Sequence, residues 1–331
     1  MSEAARKWLK LAGWGISLGL LSWFVYRAFI QSNVFEQADW GWSSLLGLAL
    51  AALVYVLSQV VATGVSWWLL VGIGCTQARF RSVAAVGLMS QLGKYLPGNV
   101  AHHVGRVVLS RHVGLGTAPV IYAMFLETLW VVAVAISLFV FYLVWYGAQG
   151  SLPISEELGY PILILALVGA VFGPYVFRHL FVRVASAFLK KRGVEKAISL
   201  EPPSALRAVL SVAVYYLIYL ILGLILALLG WLFYNQLSLD LFVLGSAFAV
   251  AWVVGFLTPG SPAGIGVREA VLLGVLAPVY GEETAAGIAA LFRVVTVVGD
   301  VLTWVLGLMM WNLAQRVGDD RRVTESVSAD V

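Results

Sequence analysis

Between Ala118 and Tyr146 the chain runs for 29 residues with one ionisable side chain, Glu127. As a helix such a stretch crosses a hydrocarbon core of about 30 Å, and it shows none of the strict alternation of a barrel strand. Comparable stretches lie at Leu11–Ile30, Ser44–Gly72, Pro161–Phe177, Arg207–Tyr234 and Thr284–Trp311. Hydrophobic residues make up 61% of the 331 and charged residues 11%, whereas soluble domains carry about a quarter charged. The expected fold is therefore an all-α polytopic membrane protein without a soluble domain. The first stretch follows Arg6, Lys7 and Lys10 like a signal sequence. No small-residue cleavage site follows it, so it is read as a spanning anchor.

Two further apolar regions are broken in the middle. Gly93–Leu109 reads GKYLPGNVAHHVGRVVL and Gly255–Leu272 reads GFLTPGSPAGIGVREAVL. Both carry Gly, three residues, Pro-Gly, seven residues, Arg, and they hold the chain's only two Pro-Gly pairs. The limbs Ser82–Leu96 and Asn99–Arg111 would each be roughly 20–22 Å of helix, too short to cross. Leu241–Thr258 and Gly264–Val279 are the matching limbs. These regions are expected to be re-entrant helical hairpins with Pro97, Gly98, Pro259, Gly260 and Gly264 at their tips. About six spanning helices complete the fold.

Charge placement sets the orientation. Segments 1–10, 73–81, 111–116, 178–207 and 312–331 hold sixteen of the 21 Lys and Arg. Segments 31–43, 147–160, 235–240 and 280–283 hold none and are acidic instead. Basic loops stay cytoplasmic, so both termini are expected inside a cytoplasmic (inner) membrane. Arg27 is the exception, close enough to the outer interface to snorkel. Five parts result: an anchor and outer loop at 1–43, a first repeat at 44–146, a link at 147–206, a second repeat at 207–311 and a polar tail at 312–331, expected to be disordered. The first repeat carries hairpin 82–111 and the second hairpin 241–279. Three spans separate the starts of the two repeats, so the second is inverted. Its hairpin enters from outside and the first from the cytoplasm, the architecture of alternating-access transporters. The link contains Arg178–Lys196, read either as an amphipathic segment on anionic headgroups or as an ordinary basic loop.

Other chemistries find little support. Cys75 is the only cysteine, which rules out an internal disulfide framework and a cysteine metal site. The four histidines show no ligand spacing, and no phosphate-cradling nucleotide loop is present. The expectation is no metal, no cofactor, no catalytic residues and no nucleic acid.

Ionisable groups inside spans cost roughly 3 kcal/mol each on insertion scales, so each needs a reason. They are Lys94, Arg106, Glu127, Arg268, Glu269, Arg293 and Asp300. Arg106 and Arg268 are placed about two turns into half-helices whose N-termini, at Asn99 and Ser261, point into the membrane. Helix N-termini favour anions, and arginine adds a fork that matches phosphate. With Lys94 on the opposite limb they form a candidate lipid-phosphate site, with Ser261 and Thr258 as hydroxyl donors or as simple helix caps. Glu127, Glu269, Arg293 and Asp300 serve either in coupling or in pairs that pin hairpins to spans, such as Arg106 with Glu127 or Arg293 with Glu269 or Asp300. Glu127 is the candidate for proton coupling. His102 and His103 either line the first hairpin or, the reading preferred, lie on the helix surface at the interface.

At these residues the chain resembles the flippase-like transmembrane region of lysylphosphatidylglycerol synthases, which also occurs as stand-alone membrane proteins. The resemblance rests on QLGKYLPGNVAHHVGRVVLSR (Gln91–Arg111), FLETL (Phe125–Leu129) and GFLTPGSPAGIGVREAVLLGVL (Gly255–Leu276), and covers roughly residues 10–315. It implies movement of an anionic or aminoacylated phospholipid between leaflets. In the fused members a cytosolic domain charges the lipid; here only about twenty residues follow the last span, so lipid synthesis is not expected. The reading is a lipid translocase for a phosphate-bearing lipid, either an anionic phospholipid or a polyprenyl-phosphate-linked lipid. The alternatives are a non-catalytic partner that recruits a cytosolic lipid- or glycan-modifying enzyme, and an intramembrane polyprenyl-phosphate enzyme. A homodimer is the other partner considered.

Overall fold

The computed structural model describes residues 38–75, 78–96, 101–148, 203–258 and 261–329 continuously, with scattered positions between 15 and 36 and between 160 and 183. Among the described residues the fold is all helix, without a strand. The helices are α1 (Trp42–Gly72), α2 (Phe80–Ser90), α3 (Ala101–His112), α4 (Thr117–Ala148), α5 (Ala205–Tyr234), α6 (Leu241–Leu257), α7 (Val267–Tyr280) and α8 (Glu282–Ala329). Short 3₁₀ turns at Gln91–Tyr95 and Pro262–Gly264 follow α2 and α6.

Among the described residues, five stretches are long and apolar enough to cross a membrane: Trp42–Gly72, Thr117–Val144, Ala205–Tyr234, Pro262–Tyr280 and Glu282–Leu313. Four of them are spans the sequence predicts. The fifth contains Gly264–Val279, which the sequence reading treats as half of a hairpin. It reaches spanning length only when the 3₁₀ turn is counted, since α7 alone measures roughly 21 Å. Leu241–Leu257 falls short of that length. The expected spans Leu11–Ile30 and Pro161–Phe177, and the basic segment Arg178–Lys196, lie largely outside the described residues. The tail departs from expectation, because α8 continues to Ala329. No proline interrupts its polar end.

Local chemistry sets the helix ends. Ser204 accepts the Arg207 N–H and caps α5, and Asn235 closes its far end in the left-handed conformation at φ 53°. Gly281, at φ +79°, turns the chain from α7 directly into α8. The flanks of the spans stay apolar and exposed, as lipid contact requires. Leu46, Leu50, Leu53 and Leu57 do this on α1, and Val294, Val298 and Val301 on α8.

Helices α1 and α5 lie side by side and antiparallel. At one end Ser44 Oγ donates to the Leu232 carbonyl at 2.9 Å, and the Asp39 N–H to that of Phe233 at 2.8 Å. At the other end Arg207 donates to the Trp68 carbonyl at 2.6 Å and lies over its ring at 4.3 Å. The two ends differ chemically. Exposed Trp40, Trp42 and Trp231 mark the first, and exposed Arg79 and Arg81 accompany Arg207 at the second.

The limbs pack crosswise. Helix α2 lies along α8, and α6 lies along α4, so each first limb rests on the closing helix of the other half. The two 3₁₀ turns touch where the halves meet. Gly93 and Gly255, the first glycines of the shared motif, both face the returning limb. A Cβ on Gly93 would sit 2.7 Å from the His102 nitrogen, and one on Gly255 would sit 2.6 Å from Arg268 Cγ.

Candidate functional site

The turns meet beside a cavity of about 240 Å³. Lys94, Arg106, Arg268 and Arg293 reach it, as do the acids Glu127 and Asp300. Glu269 lines a smaller void of about 20 Å³ next to it, together with Arg268 and Arg293. Charges scattered over more than two hundred residues of sequence thus converge on one place.

Each acid is occupied. Asp300, almost completely buried on α8, takes Lys94 Nζ at 2.7 Å and Tyr55 Oη at 2.9 Å on Oδ1, and Tyr95 Oη at 2.6 Å on Oδ2. A buried carboxylate is tolerated only when its lone pairs are satisfied this way. The arrangement ties the 3₁₀ turn Gln91–Tyr95 and helix α1 to α8. Glu127 on α4 receives both Arg106 terminal nitrogens, each at 2.8 Å, and Arg106 also donates to Ser66 Oγ on α1. Such a paired fork is the strongest geometry a guanidinium offers. Glu269 accepts the Gly266 N–H at 2.6 Å on one oxygen and pairs with Arg293 Nε at 3.1 Å on the other. It thereby caps α7 and fixes it to α8 at once.

Arg268 differs. Among the described residues it is the one intramembrane cation with neither an ion pair nor a hydrogen bond. Its Nε is buried without a partner, while the guanidinium lines the cavity. Space for its stem comes from two glycines. A Cβ on Gly264 would stand 2.7 Å from Arg268 Nε, and Gly264 also adopts φ +70°, where a side chain is strained. Four cations face three carboxylates, and the excess positive charge sits on Arg268.

The sequence-predicted residues divide. Lys94, Arg106 and Arg268 all reach the cavity, but the first two are held by Asp300 and Glu127. The pairs Arg106–Glu127 and Arg293–Glu269 are among the alternatives foreseen; Lys94–Asp300 is not. Thr258 and Ser261, the candidate hydroxyl donors, are engaged by nearby backbone. Their hydroxyls donate to the carbonyls of Val254 at 2.7 Å and Ile265 at 3.1 Å, and neither lines the cavity. Arg268 stands in the first turn of α7, because that helix begins at Val267 and not near Ser261. Its N-terminus, moreover, already has a carboxylate cap. Pro97, Gly98, Pro259 and Gly260 lie outside the described residues. His102 and His103, expected on the helix surface, line the cavity with their rings 3.8 Å apart.

Sequence reasoning missed the cavity's aromatic wall. Trp252 and Phe256 stack at 5.2 Å between centroids and 4° between planes, and Tyr55, Tyr95, Tyr215, Tyr219 and Phe248 contribute the rest. Nothing in an apolar helix separates such residues from ordinary core or interface aromatics. For Trp252 and Phe256 only their i, i+4 spacing just ahead of the Pro-Gly break was there to find.

The family model described as "Lysylphosphatidylglycerol synthase TM region" matches residues 10–303. That range includes every charged residue of the cavity. No curated protein matches the chain.

Proposed function

The chain belongs to the lysylphosphatidylglycerol synthase transmembrane-region family, multi-pass membrane proteins tied to lipid modification, and from this premise we propose that it is a lipid translocase. Its substrate is a phosphate-bearing lipid whose headgroup enters the cavity while the tails stay in the bilayer. The observation that carries this reading is Arg268, an unmatched guanidinium at the junction of the two broken helical units. A cation left unpaired in a low-dielectric interior is costly, and a phosphate is the natural partner for its fork.

In this proposal the two hairpins are re-entrant and the halves 44–146 and 207–311 form an inverted repeat. The antiparallel pairing of α1 with α5 and the crosswise packing of the first limbs support it. Transport requires no covalent chemistry, so no residue is assigned a catalytic role. The Arg79, Arg81 and Arg207 end faces the cytoplasm, and the Trp40, Trp42 and Trp231 end faces outward.

Cys75 tests that orientation, because it sits half-buried just beyond α1 at the arginine end. A membrane-impermeant maleimide should label it in inside-out vesicles and not in right-side-out ones. Burial raises the thiol above its ordinary range, so the thiolate is scarce at neutral pH. The labelling rate should therefore climb about tenfold per pH unit below the thiol pKa. Labelling confined to right-side-out vesicles would reverse the topology.

The function is tested by leaflet accessibility of labelled phospholipids in proteoliposomes. Wild type should move anionic phospholipid across the bilayer, and Arg268→Ala should slow this by at least about tenfold, roughly 1.4 kcal/mol of binding. Arg268→Lys, which keeps charge but loses the fork, should fall between them. Movement at the wild-type rate by a folded Arg268→Ala protein would remove the site.

A further inference from the structure

The charge count in the cavity specifies more than a phosphate. Resting on the reading of this cavity as a headgroup site, we propose that it selects phosphodiester lipids of one net negative charge, and discriminates against zwitterionic headgroups and phosphomonoesters.

The argument is electrostatic. Lys94, Arg106, Arg268 and Arg293 face Glu127, Glu269 and Asp300, which leaves a single positive charge. One phosphodiester neutralises it. A phosphomonoester that carries two negative charges leaves one of them uncompensated inside the membrane. A zwitterionic lipid fails differently. Its phosphate fits Arg268, but its ammonium needs a carboxylate, and every carboxylate here is already paired with a cation. An ammonium would have to break one of these pairs or remain unpaired beside Lys94 and Arg106. Either course has the cost of an uncompensated buried charge. An uncharged hydroxylated headgroup meets no such obstacle, since Gln59, Gln91 and Thr128 line the same cavity and offer neutral donors and acceptors.

The test is lipid titration of the purified full-length chain, read by native mass spectrometry. Phosphatidylmethanol isolates the monoanionic diester. Phosphatidylethanolamine is the zwitterion, and phosphatidic acid at about pH 8.5 is the dianionic monoester. Dimethyl phosphate shows whether the free anion alone suffices. Wild type should bind phosphatidylmethanol at least about tenfold more tightly than either other lipid, and dimethyl phosphate should compete with it only at far higher concentration. Arg268→Gln should bring phosphatidylmethanol and phosphatidylethanolamine within about twofold of each other.

Glu127→Gln releases the Arg106 fork and raises the cavity's charge by one, so phosphatidic acid should overtake phosphatidylmethanol. If Glu127→Gln does not fold, Gln91→Lys adds the same charge without breaking a pair and should give the same reversal. Equal binding of phosphatidylmethanol and phosphatidylethanolamine by wild type would overturn the proposal, as would an unchanged order in a folded variant of higher charge. Competition by dimethyl phosphate at equal concentration would show a general anion site and overturn the lipid selectivity. The two proposals fail separately. Arg268-dependent transport without charge preference would end this one and leave the translocase; charge-selective binding without transport would do the reverse.

Discussion

Asp300→Ala should be among the most destabilising single changes in the protein, costing about 3–5 kcal/mol in reversible unfolding from detergent micelles. The carboxylate holds Lys94, Tyr55 and Tyr95 together. Its removal leaves an ammonium in the membrane interior with only the Tyr55 hydroxyl, 3.5 Å away, and the face of the Tyr95 ring, 5.7 Å from its centroid. Both tyrosine hydroxyls lose their acceptor as well. Asp300→Asn restores acceptor capacity but not the countercharge, and should recover only part of the loss. The double change Lys94→Met with Asp300→Leu removes both charges, and should come closer to wild type than Asp300→Ala alone. A single Asp300→Ala within about 1 kcal/mol of wild type would mean that Lys94 is hydrated.

Gly93→Ala should be among the most disruptive one-methyl changes. The added carbon would lie 2.7 Å from the His102 nitrogen and 2.8 Å from its Cα. These are backbone atoms of the facing limb and cannot swing aside as a side chain would. The limbs must separate, and overpacking of this kind costs about 1–3 kcal/mol. Gly105→Ala is the control on the same hairpin, since its new methyl would meet only Ser90 Cβ, at 4.0 Å. There the gain in helix propensity should dominate, a stabilisation of up to about 1 kcal/mol. Thermal unfolding of the two variants side by side decides the matter. Equal melting temperatures would show that the hairpin limbs are not closely packed.

Four of the spans were legible in the sequence because an apolar run of some thirty residues has few other destinies. Gly93 and Gly255 were legible too, since two copies of one spacing drew attention to both. Partner choice was harder. The pairs Arg106–Glu127 and Arg293–Glu269 join neighbouring elements and could be written down as options. Lys94–Asp300 spans 206 positions between halves, and no local pattern encodes it. For Ser261 and Thr258 the sequence left two readings open, because a hydroxyl beside a broken helix is also well placed to bond its own backbone. Arg268 stood out in the sequence by its place after the second Pro-Gly break. That it alone among the described intramembrane cations lacks a partner follows from counting acids in space, which a linear chain does not permit.

Helix α8 holds both hairpins. Arg293 grips the second through Glu269, and Asp300 grips the first through Lys94 and Tyr95. Seven residues separate these two anchors, so they stand two turns apart on one face, roughly 10 Å along the axis. Mechanically, α8 is a shaft with two cranks. A small rotation or slide of this one helix reaches both hairpins together, and neither can be displaced while its anchor holds unless the shaft moves.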